Sequence, residues 1–259
     1  LTKLALPFEI FEAVQGDTLS EKETLSWYDK DFFENRPSYH TSGMVGCTLT
    51  HYLVYKRIVE EKIPQALILE DDMILSKSLP SLLNEISNKI RNDEVIMLFY
   101  QSYFPINFYK LSEEPADGKF NLYQVNNLKG LRSTAAYVIT YEAAKSMMNG
   151  YLPISFFPDD WKKFYERKLL NGVRIIYPFV LTNAYEPTTV SPNLKGGKFA
   201  KSFLSLVEKF KIFPIYHVLK NRRRINTAKS RQCFLVNEPP VDFRENKKYV
   251  NEPFFIGAF

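Results

Sequence analysis

The chain is short of the residues that build several common protein classes. Its two cysteines, Cys47 and Cys233, are too few for a disulfide framework and too isolated for a zinc-binding spacing, so both are expected as small buried side chains in a reducing compartment. No apolar run approaches the ~18 residues that a membrane-crossing helix needs, and no charged stretch followed by an apolar one opens the chain as in a signal peptide. A soluble or peripheral protein is expected. Only 10 glycines and 15 prolines are spread along 259 residues, and no internal repeat is present, which argues against collagen, disorder and low complexity. The sequence starts at Leu1 without a methionine, so a further N-terminal piece is expected.

What is present is an ordinary folded composition, 45% hydrophobic and 24% charged, in a chain long enough to bury a large core. The net charge of +5 is unevenly placed. Between Leu194 and Arg231 stand eleven lysines and arginines against one acid, Glu208, leaving the remainder slightly acidic. One end of the molecule should therefore attract anionic partners.

Hydrophobic patterning alternates between strands and helices. "FEIFEAV" reads as a strand from Phe8 to Val14, closed by a Gly16-Asp17 turn, and Ser20 with Glu23 three residues on reads as a helix start that runs on to a stop before Pro37. A glycine-bearing turn precedes a helix expected from about Thr50 to Glu61. "QALILEDDMIL" is a strand, "LPSLLNEISNKIRN" a helix, "EVIMLFY" a second buried strand, and Gln101 to Lys119 a polar excursion. "TAAYVIT", "YEAAKSMMNGY", "DDWKKFYERKLLNG" with Gly172 as its stop, and "VRIIYPFV" continue the alternation. The pattern predicts an α/β domain with a mostly parallel sheet, whose ligands bind at the C-terminal ends of its strands.

One such end carries Glu70, Asp71 and Asp72 directly after an oily run. Adjacent carboxylates repel, so a site that keeps them has a use for negative charge. Strand alternation would point Glu70 and Asp72 one way and Asp71 the other, giving two oxygens to a hard cation such as Mn²⁺ or Mg²⁺, which completes its shell with water and phosphate. The bland alternative is a solvated acidic turn.

The surrounding blocks narrow the choice. Gly46-Cys47-Thr48-Leu49-Thr50-His51, then Leu69-Glu70-Asp71-Asp72, then Ala136-Tyr137-Val138-Ile139 before Ala143-Ala144, then Pro158-Asp159-Asp160 resemble, in order, the motifs of glycosyltransferase family 25. This family comprises lipooligosaccharide and lipopolysaccharide biosynthesis transferases and collagen galactosyltransferases. The resemblance runs from about Phe8 to Ser191, with Thr50 where the family pattern has serine. Family members begin with a strand that this chain starts after.

The resemblance implies a GT-A-like fold, Rossmann-like, over residues 1–192, followed by a basic, aromatic C-terminal helical extension over 193–259. It implies inverting transfer of a hexose, most often galactose from UDP-galactose, to a saccharide hydroxyl. On that reading Asp72 is the first metal ligand and Glu70 the second, and Asp71 reaches the ribose. Asp160 is the catalytic base, unless it or Asp159 only caps the helix that follows. Thr50 and His51 would hold nucleotide oxygens at a helix N-terminus, the alternative for His51 being a core histidine. Arg132, Ser133, Thr134 and Asp159 would touch donor sugar or acceptor.

The stretch from 194 to 231 interleaves Phe199, Phe203, Phe210, Phe213 and Tyr216 with lysines and ends in Arg222 to Arg224. It reads as a surface for an anionic membrane, which suits a lipid-linked oligosaccharide acceptor on the cytoplasmic face of a bacterial inner membrane, or equally as a helix packed on the domain. Nucleic acid is the weaker third partner. A metal-dependent phosphoesterase or nuclease would use the same triplet but needs histidines or carboxylates for a second metal, which the sequence does not supply. A degenerate, non-catalytic member acting through its basic tail is the remaining alternative.

Overall fold

The computed structural model describes residues 2–35, 40–102, 106–125, 128–183, 206, 207, 209–229 and 233–236. The expected boundary at 192/193 and the tail residues Phe199, Phe203, Glu208 and Arg231 lie outside them, as does Pro37.

Strands β1 (Gln65–Leu69), β2 (Met73–Leu75), β3 (Glu94–Met97), β4 (Gln101–Ser102), β5 (Ile106–Tyr109) and β6 (Glu114–Asp117) occupy the first half. They are followed by β7 (Phe120–Gln124), β8 (Leu131–Arg132), β9 (Ala136–Thr140), β10 (Gly172–Tyr177), β11 (Leu181–Asn183) and β12 (Cys233–Val236). The helices are α1 (Glu21–Trp27), α2 (Lys30–Glu34), α3 (Ser42–Glu60), α4 (Leu79–Lys89), α5 (Tyr141–Tyr151), α6 (Trp161–Glu166) and α7 (Ile215–Lys229).

A six-stranded sheet, ordered β1-β9-β3-β10-β7-β6, forms the centre. Its inner strands β9, β3 and β10 are mostly oily because both faces are covered. Val95 and Met97 of β3, with Tyr137 and Ile139 of β9, join the cluster beneath α3, α5 and α6. Their alternating neighbours Ile96, Ala136 and Val138 join Leu79, Leu82 and Ile86 of α4 on the other face.

The expectation of a mostly parallel sheet is corrected: β10 and β3 pair in parallel, and the other main-sheet pairings are antiparallel. The cause lies in the supposed polar excursion, whose described residues hold β4 to β6, with β7 directly after, rather than a crossover helix. Without a helix to carry it across, the chain re-enters as β9 from the end where β3 finishes, and so runs against both β1 and β3.

Three local expectations also change. Among the described residues Phe8 to Val14 joins no strand; Val14 N–H donates instead to Thr50 Oγ1 at 2.9 Å on α3. This segment lies so close to α3 that a Cβ on Gly46 would stand 2.4 Å from the Val14 carbonyl oxygen. Helix α3 starts at Ser42, capped by Thr41, eight residues before the expected Thr50. Gly172 opens β10, while the chain leaves α6 through Lys168, whose φ is 59°. The capping box of Ser20 and Glu23 forms as expected, closing α1 at its start.

Candidate functional site

Four segments meet at the end of the sheet where β1 finishes: the elbow after β1, the link between β8 and β9, the loop entering α6, and the middle of α3. The link is fastened first. Glu70 N–H donates to the Ala135 carbonyl at 2.8 Å, extending the β1–β9 ladder by one residue. Thr134, buried, donates its hydroxyl to Glu70 Oε1 at 3.0 Å. Trp161 Nε1 donates to the Ser133 carbonyl at 3.0 Å, tying the start of α6 to the same link. Ser133 carries φ 96°, a conformation rare for a residue with a Cβ, so these bonds hold a strained residue at the junction.

The carboxylates differ in surroundings. Solvent reaches Glu70, yet its Oε1 turns inward onto Thr134, and loss of water raises its carboxyl to about 6; Thr134 opposes this, while Asp72, Asp71 and Asp159 add to it. Asp72 is half-buried and its carboxyl is raised, first by burial and then by Asp71. Among the described residues Asp72 Oδ1 is buried without a hydrogen-bond partner. Asp71 is exposed. Strand alternation stops at Leu69, and Asp71 and Asp72 occupy the turn into β2, so the simple in-and-out reading of the triplet does not apply.

Asp160 stands at the N-cap position of α6 but makes no capping bond; its Oδ1 pairs with Arg132 at 3.0 Å. Arg132 also donates to the Asp159 carbonyl at 3.3 Å. Asp159 has its carboxyl raised by burial, against the pull of Arg132 and with the push of Asp160. The loop before α6 and the β8–β9 link are thus one charged unit, which brings Arg132, Ser133, Asp159 and Asp160 together.

Thr50 and His51 do not sit at a helix N-terminus. Both lie inside α3, whose first turn forms nine residues earlier than His51, so the expected dipole-and-amide cradle is absent at these residues. Thr50 Oγ1 donates to the Gly46 carbonyl and accepts from Val14, a structural role. His51 is buried, its Nδ1 lies 3.0 Å from the Tyr137 hydroxyl, and Tyr137 donates to Tyr55 at 3.2 Å. Burial lowers the His51 pKa to about 4, so the ring is neutral. One helical turn before it, Cys47 is half-buried rather than enclosed, and its thiol is pushed up to about 12 by burial, then by Glu70 and Asp159.

Residues 1–161 match the model of glycosyltransferase family 25, described as an LPS biosynthesis protein. The chain belongs to glycosyltransferase family 25. Among curated relatives, the Haemophilus influenzae lipooligosaccharide biosynthesis protein lic2B is 26% identical over 148 residues, covering 55% of this chain and 52% of its own. The procollagen galactosyltransferase 1-A of Xenopus laevis is 26% identical over 168 residues, 62% of this chain and 26% of its own. A procollagen lysyl hydroxylase and glycosyltransferase of Acanthamoeba polyphaga mimivirus is 28% identical over 164 residues, 58% and 17% respectively. The chain thus spans about half of the first relative and a smaller share of the others.

Within this family 25 chain, sequence reasoning missed Cys47, Tyr137 and Trp161 as builders of the site. The i, i+4 spacing of Cys47 and His51 was the available signal, since it places both on one helix face.

Proposed function

We propose that this protein is a metal-dependent, inverting glycosyltransferase with a GT-A-type fold that moves a hexose, galactose from UDP-galactose, onto a saccharide of a lipooligosaccharide. The observation that carries this reading is Asp72: a buried carboxylate oxygen without a partner, beside two further carboxylates at a strand end, is a site lacking positive charge. The donor set is all oxygen, which fits Mn²⁺ or Mg²⁺. Asp72, with Glu70 second, would hold the ion. Once bound, it would neutralise charge developing on the leaving diphosphate.

The chain's own residues supply the rest. Thr134 fixes the Glu70 carboxylate, and exposed Asp71 is free to accept from ribose hydroxyls. Inversion in one displacement needs a base near the acceptor hydroxyl. The carboxylate pair before α6 is our candidate: Arg132 engages Asp160, the base expected from the sequence, which leaves its neighbour Asp159, whose carboxyl is raised by burial, to take the proton instead. Asp160 and Arg132 then position it and offer donors and acceptors to sugar hydroxyls.

A place on the inner face of a bacterial inner membrane suits a lipid-linked acceptor. Helix α7 and the turn before it support such a placement: Phe210, Phe213 and Val218 are exposed beside Lys209, Lys211 and Arg222. Among the described residues no helix is long and apolar enough to cross a membrane.

The deciding experiment titrates the protein with UDP, UDP-galactose, UDP-glucose and GDP-mannose, with Mn²⁺ and with chelator, beside Asp72→Ala. Metal-dependent binding of a UDP-sugar, lost in the variant, is expected. A folded chain that binds no nucleotide sugar under any of these conditions overturns the reading.

A further inference from the structure

Beside the carboxylate triplet lies a second set of donors with different chemistry. Among the described residues, one trio of histidine, cysteine and acidic side chains brings its ligand atoms within 4.8 Å of one another, and it is Cys47, His51 and Glu70. The triplet itself forms no such set. Cys47 and His51 share one face of α3, and Glu70 closes on them from the end of β1.

The hydrogen bonds prepare His51 to be a ligand. Tyr137 spends its single hydroxyl hydrogen on Tyr55, so the hydrogen between His51 and Tyr137 belongs to His51 Nδ1. Nε2 is therefore the nitrogen with the free lone pair. Among the described residues nothing hydrogen-bonds to it, although the histidine as a whole is only 5% exposed. A histidine whose far nitrogen donates to an oriented oxygen is the usual support for a metal-bound imidazole. Thr134 plays the same part for Glu70.

We infer that Cys47, His51 and Glu70 form a binding site for a borderline-soft divalent cation of the Zn²⁺ class, which shares Glu70 with the hard-cation site at Asp72 but adds a sulfur and a nitrogen donor. One sulfur, one nitrogen and one oxygen donor, with a fourth position open to water through exposed Glu70, match that ion class. An equilateral triangle of the stated side has its centre about 2.8 Å from each corner, so the donors need close by only about 0.5–0.8 Å to reach zinc–sulfur and zinc–nitrogen bond lengths. On binding, a sulfur–metal bond forms and the thiol proton passes to the buffer. No redox step is involved. Because Glu70 serves both positions, zinc displaces the donor nucleotide; this consequence rests on the reading above, whereas zinc binding itself does not.

Cobalt(II) is the probe, since thiolate coordination gives it a charge-transfer absorption that oxygen-only sites lack. The intact chain titrated with cobalt is expected to develop this band. Zinc should bleach it with release of about one proton per ion when zinc is added to the metal-free protein. Cys233→Ser should keep the band and Cys47→Ser should lose it, and Tyr137→Phe should weaken cobalt binding about 10–100-fold. Asp72→Asn should keep the band while losing nucleotide binding, which separates this inference from the transferase reading. Absence of the band in the folded wild-type chain, or its survival in Cys47→Ser, overturns the proposal. Should Cys47→Ser fail to fold, the wild-type and Cys233→Ser spectra still decide.

Discussion

The two ends of the central sheet treat charge in opposite ways. At the end where β3 and β10 begin, Arg174 is 4% exposed, and its guanidinium meets Glu94 at 2.6 and 2.8 Å, Glu114 at 2.6 Å and the Lys89 carbonyl at 2.7 Å. Its protonated form is held by Glu94 and Glu114 against burial. At the other end, Glu70, Asp71 and Asp72 stand in succession, and among the described residues no cationic side chain bonds to them. Buried charge that serves the fold is answered from within the chain; charge left open is addressed to something that comes and goes. The difference lets a structural ion cluster be told from a binding site although both contain paired acids.

The largest expected effect lies at the closed end. Arg174→Ala leaves Glu94 buried without its cation, and the folded state should lose about 3–5 kcal/mol, read as a shift in the urea midpoint. Donor affinity per folded molecule should stay unchanged. If stability is unaffected, the cluster is not the anchor described here, and the contrast between the ends fails.

At the open end the expected signs reverse. Asp72→Asn removes charge that repels Asp71, so stability should hold or rise slightly, while transfer should fall about 100–1000-fold as the nucleotide's cation loses its main ligand. Measuring melting temperature and turnover on the same preparation checks both halves. A parallel Asp159→Asn and Asp160→Asn pair sharpens the assignment of the base: Asp159→Asn should cost turnover about 100-fold or more with little change in KM. Asp160→Asn should fall short of that and should instead loosen the link through Arg132.

Much of this contrast was legible in the sequence. The oily strands β3 and β9, the 3-4 spacing of α4 and the capping box at Ser20 depend on local pattern, and local pattern survived folding. The blocks at Glu70 to Asp72, Arg132 to Thr134 and Asp159–Asp160 were also visible, and they meet in space. Strand direction was not legible, because it depends on which end of the sheet an irregular segment returns to. Nothing in the local pattern marks Glu94 as buried, because the cation that answers its charge, Arg174, stands 80 residues away. His51 was placed at a helix start because Gly46 reads as a turn; in fact Gly46 is inside α3, where the missing Cβ admits the Val14 backbone.

That close approach supplies the next test. Gly46→Ala drives a methyl group into the Val14 carbonyl, and backbone cannot swing aside as a side chain would. A loss of about 1–3 kcal/mol is expected, with the 13–16 segment lifting from α3. Hydrogen exchange at the Val14 amide, now bonded to Thr50 Oγ1, should report it. Since Cys47 and His51 are carried by the same helix, cobalt binding should weaken with it. An unchanged Val14 amide would mean that the segment is not seated as described.

The smallest effect concerns the basic helix, whose charge is left open like that of the carboxylate end but with the opposite sign. Arg222 and Arg224 are exposed on α7, with Val218 and Ile225 exposed nearby. If this surface meets an anionic leaflet, each exposed arginine contributes about 1 kcal/mol, so Arg222→Gln should weaken binding to phosphatidylglycerol-containing vesicles about fivefold at low salt. Screening should erase most of that difference at high salt, because an exposed charge has no low-dielectric surroundings to protect its field. Val218→Ser should also weaken binding, but its loss should persist as salt is raised, since apolar burial does not depend on counterions. Equal salt responses for the two variants would mean that charge alone brings the helix to the surface, and the apolar side chains would need another partner.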